Sequence, residues 1–248
     1  MTNPISIPQQ GELEGKTIAI VAMGRSAASY MVLAAHHGGR QRVADYVIAI
    51  NAMGGVIYHD LLIAMDDLRI QERRIEAMAA GRLPENPPLV GTMSWLKDYD
   101  RPWLTSRAWE QYPNAQEMPL EEVISDLGTA YINNTVSWAV AWALYQRPAA
   151  LKLFGCDFSY GEDRHKAESG RGSVEYLLGI AHARGVKVEV PIETSLLDAN
   201  VPANQKPYGY DSEDVSIEWQ DGRAKVTRTP REELPSAEEI EHRYRRTK

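Results

Sequence analysis

Between residues 153 and 173 the chain reads LFGCDFSYGEDRHKAESGRGS. Asp157, Ser159, Tyr160, His165, Lys166, Glu168, Ser169 and Arg171 crowd into it, with Gly155 and Phe158 near its start. So polar a loop between a buried strand and a helix is expensive to order unless it binds something. His165 is the only histidine of the cluster, and an imidazole can take or give a proton near neutral pH. Asp157 is the second candidate for acid–base work. A helix expected from about Gly172 would aim its N-terminus at an anion. Cys156, beside a buried strand, reads as a small core residue rather than a nucleophile.

Other chemistry-bearing residues recur where apolar runs end. Met23-Gly24-Arg25-Ser26 follows the first run; the glycine permits close backbone approach, a helix start offers N–H groups, and Ser26 caps that helix or binds phosphate. Asn51 ends the second run and could bind a sugar, base or phosphate, or cap its own turn. Asp66-Asp67 follows the third, as a ligand pair for a divalent metal or ribose, or as a helix N-cap. Thr105-Ser106-Arg107 follows the fourth, two hydroxyls and a guanidinium suited to phosphate. The amides of Asn133 and Asn134 could read a nucleobase or cap the next helix. Trp138 and Trp142, four apart, share a helical face and read as core. His36, His37, His59 and His182 fall in or next to regular patterns and read as structural or surface residues.

The elements that must position these residues follow from hydrophobic pattern. Strands are expected at Thr17–Ala22, Tyr46–Ile50, Leu61–Met65, Trp103–Ser106, Leu151–Phe154 and Val186–Val190. Most lack polar alternation, as strands buried on both faces do. Helices are expected at Ala27–His37, Arg69–Ala80, Leu120–Leu127, Val136–Tyr145 and Ser173–Arg184, with Gly81–Pro88 as a loop. The alternation predicts an α/β fold: a three-layer Rossmann-like sandwich with a mostly parallel sheet, plus a C-terminal β-hairpin and short helix. Ligands of such sheets bind beyond the carboxyl ends of the strands. Residues 1–197 are expected to form a nucleotide-binding catalytic domain. Residues 198–248 are expected to append a Pro- and Asn-rich linker, a hairpin around Asp221–Gly222 and a charged helix with a Ser236/Glu239 capping box.

Composition narrows the classes. The 248 residues are 44% hydrophobic and 25% charged, with a net charge of −7, an ordinary globular balance. That charge disfavours a broad nucleic-acid-coating surface, although Arg69, Arg73, Arg74 and Arg107 could make a local basic edge. No apolar run is long enough to span a membrane. MTNPISIPQQGELEG shows no secretory pattern, and the expected location is the cytoplasm. A lone cysteine excludes an intramolecular disulfide and a multi-cysteine zinc site. No GxGxxG and no Walker lysine are present, which disfavours dinucleotide oxidoreductases and P-loop NTPases.

Two segments, KTIAIVAMGRSAASY and KLFGCDFSY, resemble the first strand–loop and the Gly-x-Asp-Phe loop of the Rossmann-like sialyltransferases and their bacterial glycosyltransferase-like relatives. The blocks INAMGG, MDD, NNT and GCDF…HKAESGRG are also similar to a phage-encoded family, and the core resembles the archaeal-type pterin pyrophosphokinases. The resemblance implies a nucleotide-sugar donor and no requirement for a divalent metal. It places Gly24 and Ser26 at the donor phosphate and Asn51 near the donor sugar or phosphate. Thr105 and Ser106 become a central hydroxyl pair, and Gly155, Asp157 and Phe158 line the base and ribose. His165 becomes the base toward an acceptor hydroxyl. Met23 and Arg25 depart from the Asn and Pro that the family prefers.

The expected activity is therefore sugar transfer from a nucleotide-activated donor to a hydroxyl, including a hydroxymethylated base of phage DNA in the host cytoplasm. Arg25, Asp66, Asn133, Asn134, Ser159, Tyr160, Lys166 and Ser169 complete the expected donor site. Phosphoryl or pyrophosphoryl transfer, with Asp66, Asp67 and Asp157 holding Mg²⁺, is a second reading. A non-catalytic nucleotide-binding module is a third. A homo-oligomer through the tail hairpin or an exposed helix face is the assembly considered.

Overall fold

The structure is a computed structural model, and it describes residues 6–158, 164–201, 207, 209–210, 212–221, 223–234 and 236–244. The chain divides into two units, Met1–Asn200 and Val201–Lys248.

The first unit is built on seven parallel strands: β1 (Thr17–Val21), β2 (Tyr46–Ile50), β3 (Leu61–Ile63), β4 (Trp103–Thr105), β5 (Ala115–Glu117), β6 (Ala150–Phe154) and β7 (Lys187–Glu189). Their order across the sheet is β5-β4-β3-β2-β1-β6-β7. In register, Ile20 faces Ile48 on one side and Leu153 on the other. Alternate residues divide between two cores, as the two-residue period of a strand requires. Ile18, Ile20, Ile48, Leu151 and Leu153 face α4 (Leu120–Leu127), α5 (Thr135–Tyr145) and α6 (Arg164–Ala183). Ala19, Val21, Ala49, Trp103 and Phe154 face α1 (Ala27–His36), α2 (Leu68–Ala79) and α3 (Pro87–Lys97). The sandwich is thus the three-layer α/β fold expected. The chain passes from β1 outward through β2 to β5, then returns to the other side of β1 as β6. That reversal makes β1/β6 the topological switch point, where crevices of such sheets open.

Three departures from the sequence reading have physical causes. The short strand β5, with sequence AQE, carries no apolar signal and is placed by pairing with β4. Helix α3 lies partly in the expected loop. Pro87 and Pro88 occupy its first positions and Asn86 caps Leu89 N–H at 3.1 Å, where proline costs no hydrogen bond. Helix α6 runs from Arg164 rather than from about residue 173, so residues 164–172 of the expected polar loop are helical. Its last turn ends before Gly185 at φ 75°, as a C-terminal glycine should.

The second unit contains the antiparallel hairpin β8 (Glu213–Gln220) and β9 (Arg223–Pro230), followed by α7 (Ala237–Tyr244). Asp221 takes φ 50° in its turn, and the capping box closes with Glu239 N–H on Ser236 Oγ at 3.2 Å. Among the described residues no helix is long and apolar enough to cross a membrane.

Candidate functional site

A cleft of about 830 Å³ opens over the carboxyl ends of β1, β2, β3 and β6. Gly24 and Arg25 come from the end of β1, Asn51 from β2, Asp66 from β3, and Asp157 and Phe158 from β6. Asn133, Asn134, Thr135 and Trp138 bring the start of α5, and Lys166 comes from the first turn of α6. Expected site residues from six element ends therefore converge on one cavity.

Close backbone approach builds the wall at the switch point. Gly24 N–H donates to Gly155 O at 2.8 Å. A Cβ on Gly24 would lie 2.5 Å from Asp157 Oδ2, and one on Gly155 would lie 2.1 Å from Ala22 O. Gly155 also has φ 69°, a left-handed conformation that suits glycine. Both glycines are thus explained by the joining of two strand-end loops. Ser26, 1% exposed, sits behind this wall. Its N–H donates to Asp157 Oδ2 at 2.8 Å, its hydroxyl donates to Asp157 Oδ1, and its Oγ accepts from Gly155 N–H at 2.8 Å. Asp157, also buried, is in this geometry an anchor between β6 and the start of α1. The N–H of Ala27 turns to Gly24 O and that of Ala28 to Arg25 O, so the first turn of α1 spends these donors internally.

The α5 side of the cleft is fixed by amides. Asn134 caps α5 through Ser137 N–H at 2.9 Å, completing a capping box, while its Nδ2 donates to Gly170 O at 3.1 Å. Asn133 Nδ2 donates to Ser169 O at 3.1 Å and to Ser169 Oγ at 3.0 Å. The two asparagines both line the cleft and hold α6 against α5. Gly170 permits this, since a Cβ there would come 2.8 Å from the Phe158 ring.

Asn51 is the most unusual member. It has φ 52°, a left-handed conformation that Asn tolerates better than most side chains. Its Oδ1 is buried and has no hydrogen-bond partner among the described residues. An orphaned acceptor costs free energy unless something supplies a donor, and strained backbone clusters where ligands bind. Phe158, at φ 48°, adds a second left-handed non-glycine residue to the same cavity.

Other expected site residues lie elsewhere. Thr105 is fully buried, with an Oγ1 that finds no partner among the described residues, and Ser106 is exposed; neither lines the cleft. His165 is exposed on α6, one residue before Lys166, and is likewise not a lining residue. Ser159 and Tyr160 lie outside the described residues. Asp67 is the N-cap of α2, accepting from Arg69 N–H at 2.9 Å and Ile70 N–H at 3.3 Å. Partial burial works against its charged form, but these N–H groups outweigh it and hold the carboxyl below its usual range. Among the described residues no group of three or more His, Cys, Asp or Glu forms a metal site. Cys156 is buried, and burial with the adjoining Asp157 charge pushes its thiol well above its usual range, which suits packing rather than nucleophilic attack.

Sequence reasoning missed two supports. Thr194 Oγ1 donates to Cys156 O at 3.0 Å, and the Ser195 hydroxyl donates to Asp157 O. Both lie beyond β7, and no spacing pattern links them to the β6 loop. Trp138, expected in the core, lines the cleft while packing partly on the core; its place in the first turn after Asn134 was the available signal.

No protein-family model matches the sequence, and a search of curated proteins returns no match. Solved structures do match. The sialyltransferase CstII from Campylobacter jejuni, in complex with the substrate analogue CMP-3FNeuAc, aligns with a TM-score of 0.43 at 12% identity, over 92% of this chain and 99% of that chain. The same sialyltransferase in complex with cytidine-5'-monophosphate aligns with a TM-score of 0.42 at 10% identity, over 92% and 97%. Likeness at this level assigns no activity.

Proposed function

We propose that the cleft binds a nucleotide-activated sugar and that the chain transfers the sugar to an acceptor hydroxyl. The observation that carries the reading is the orphaned Asn51 oxygen on strained backbone, inside a cleft that also holds Arg25, Lys166 and the start of α5. A donor with phosphate, hydroxyl and ring groups matches each part. Arg25, Lys166 and the α5 N-terminus balance negative charge on the phosphate. Asn51 Oδ1 accepts from a sugar hydroxyl or a base amino group. Trp138 and Phe158 offer ring faces to the base. The choice of a sugar donor draws on the sequence resemblance at the first loop and the Gly-x-Asp-Phe loop.

In the reaction, the bond from the anomeric carbon to the donor phosphate oxygen breaks and the acceptor oxygen bonds to that carbon. The electron pair stays with the phosphate, where Arg25 and Lys166 stabilise it. His165, exposed on α6 one residue before Lys166 and outside the cleft lining, takes the proton of an acceptor that projects from the cleft. No metal enters this scheme. A hydroxymethylated base in DNA belongs among the acceptors tried, on the strength of the phage-family resemblance.

The test is thermal unfolding with CMP, UDP, ADP and their sugar conjugates, each with chelator and with Mg²⁺. Ligand at about 100 times its dissociation constant should add roughly 2.7 kcal/mol, several degrees for a chain of this size. Stabilisation by one nucleotide family in chelator is expected. His165→Ala should keep that shift and lose transfer. A shift with ATP and Mg²⁺ alone would replace this reading with phosphoryl transfer, and no shift with any nucleotide would sink it.

A further inference from the structure

Helix α1 is an anomaly among the outer helices. Its ten residues, AASYMVLAAH, include no Asp, Glu, Lys or Arg, and only Ala27 and Tyr30 are buried. Val32 is 65% exposed, Met31 41% and Leu33 37%. Its layer-mate α2, LRIQERRIEAMA, shows the ordinary solution, with a charged outer face. A helix apolar all round belongs in an interior, and contiguous exposed apolar surface on a soluble chain marks an interaction site. Beside α1 runs a separate groove of about 590 Å³, floored by Phe154 of β6 and by the Lys152–Glu189 ion pair between β6 and β7 (3.3 Å), and closed by Val190 and Pro191 after β7. Val32 and Leu33 form its other wall. Helix α6 packs on β7 from the opposite face, so α1 is the helix nearest the β7 edge on its own side.

We propose that this face is where two copies of the chain associate, α1 against α1 about a two-fold axis. The outward ridge of Ala28, Val32 and Ala35, exposed residues that helical spacing puts on one face, and the groove share one helix. An antiparallel partner helix therefore fills the groove and receives the same contact in return, the self-complementarity that a two-fold interface requires. Charge fits this direction. Glu193 lies beside the N-terminal half of α1, where it accepts from Ser29 Oγ at 3.4 Å. His36 and His37 end the helix, and exposed Arg42 follows it. Antiparallel packing brings Glu193 of each copy to the basic end of the other.

Sedimentation equilibrium on the full chain tests this. The wild type should show twice the chain mass and a melting temperature that rises with protein concentration. Val32→Asp, at a side chain exposed in the single chain, should give the monomer mass and one cooperative transition independent of concentration. Glu193→Lys should raise the dimer dissociation constant by about tenfold or more, and adding Arg42→Glu should recover part of the loss. Val226→Asp, on the exposed hairpin, should leave the dimer intact. A wild type that stays monomeric at every concentration would overturn the proposal. So would a dimer indifferent to Val32→Asp, or one broken by Val226→Asp.

Discussion

Gly155 and Asn51 both sit at φ above zero, Asn51 in the wall of the cleft and Gly155 behind it, yet they answer to different demands. Gly155 serves packing: nothing larger fits 2.1 Å from the Ala22 carbonyl. Gly155→Ala adds a left-handed Ala to a steric clash and should cost about 3 kcal/mol. A melting temperature lower by roughly 6–12 °C would show it. Asn51 gains nothing visible from its conformation, since its amide oxygen is buried without a partner. Replacing it by glycine removes both the orphaned acceptor and the Cβ strain. Asn51→Gly should therefore stabilise the free protein by roughly 0.5–1 kcal/mol while weakening nucleotide binding about tenfold or more. Chemical denaturation and calorimetric titration on the same variant read the two effects. Lost stability with unchanged binding would place Asn51 outside the ligand site.

Elements meet at the cleft through side-chain-to-backbone bonds rather than through apolar contact alone. Asn134 joins two of them: it caps α5 by accepting Ser137 N–H and donates to the Gly170 carbonyl of α6. Asn134→Ala should lower stability by about 1–2 kcal/mol, the range for a lost N-cap, and should loosen the first half of α6. A lower urea midpoint, with faster amide exchange over residues 164–172 than over 173–183, is the expected pattern. Equal exchange across α6 would show that its first turns stand without this tie. The same bonds explain why α6 extends through Gly170 and Gly172, each costing about 1 kcal/mol of helix propensity relative to Ala. Gly170 lets the helix pass against Phe158 and Asn134, and Ser173 Oγ donates to Tyr131 O at 2.8 Å.

At the scale of the whole molecule, stability carries a pH term from the end of the sheet opposite the cleft. His59 is 4% exposed just before β3. Its Nε2 faces Arg101 Nη2 at 2.9 Å and Tyr99 Oη at 2.6 Å, and its Nδ1 faces Ile57 O at 2.9 Å. A guanidinium only donates, so Nε2 is the acceptor, Nδ1 carries the proton, and the ring is neutral. Burial, with the Arg101 charge adding to it, holds its pKa below the ordinary 6.5 against the opposing Ile57 hydrogen bond. The unfolded chain therefore binds the extra proton first as pH falls. This contribution is complete above pH 6.5 and is lost progressively below it, at up to about 1.4 kcal/mol per pH unit. Asp60 lies beside this group, in a bidentate pair with Arg40 and accepting Val47 N–H at 2.8 Å. Urea midpoints between pH 7.5 and 5 should fall for the wild type and fall less steeply for His59→Gln. Identical slopes would mean that His59 titrates alike in both states.

Strand–helix alternation and the apolar character of six strands determine the three-layer sheet, because burial on both faces leaves its mark on every residue of a strand. The polar residues at strand ends, Gly24, Arg25, Asn51, Asp66 and Asp157 among them, are also legible, since a parallel sheet gathers such ends on one side. What each residue does there was decided in three dimensions. Asp157 and Ser26 look alike in sequence as ligand groups, yet they bond to each other. Asn133 and Asn134 read as base-reading amides, yet they tie α6 in place. Thr105 and Ser106 satisfy the same strand-end pattern but lie away from the cavity. Strand β5 and the first turns of α6 carry weak local signals and exist through pairing and close packing. Local sequence fixes periodicity and strand ends because those depend on neighbours a few residues apart. Hydrogen-bond partners span more than a hundred residues, as from Ser26 to Asp157, so only the folded chain selects them.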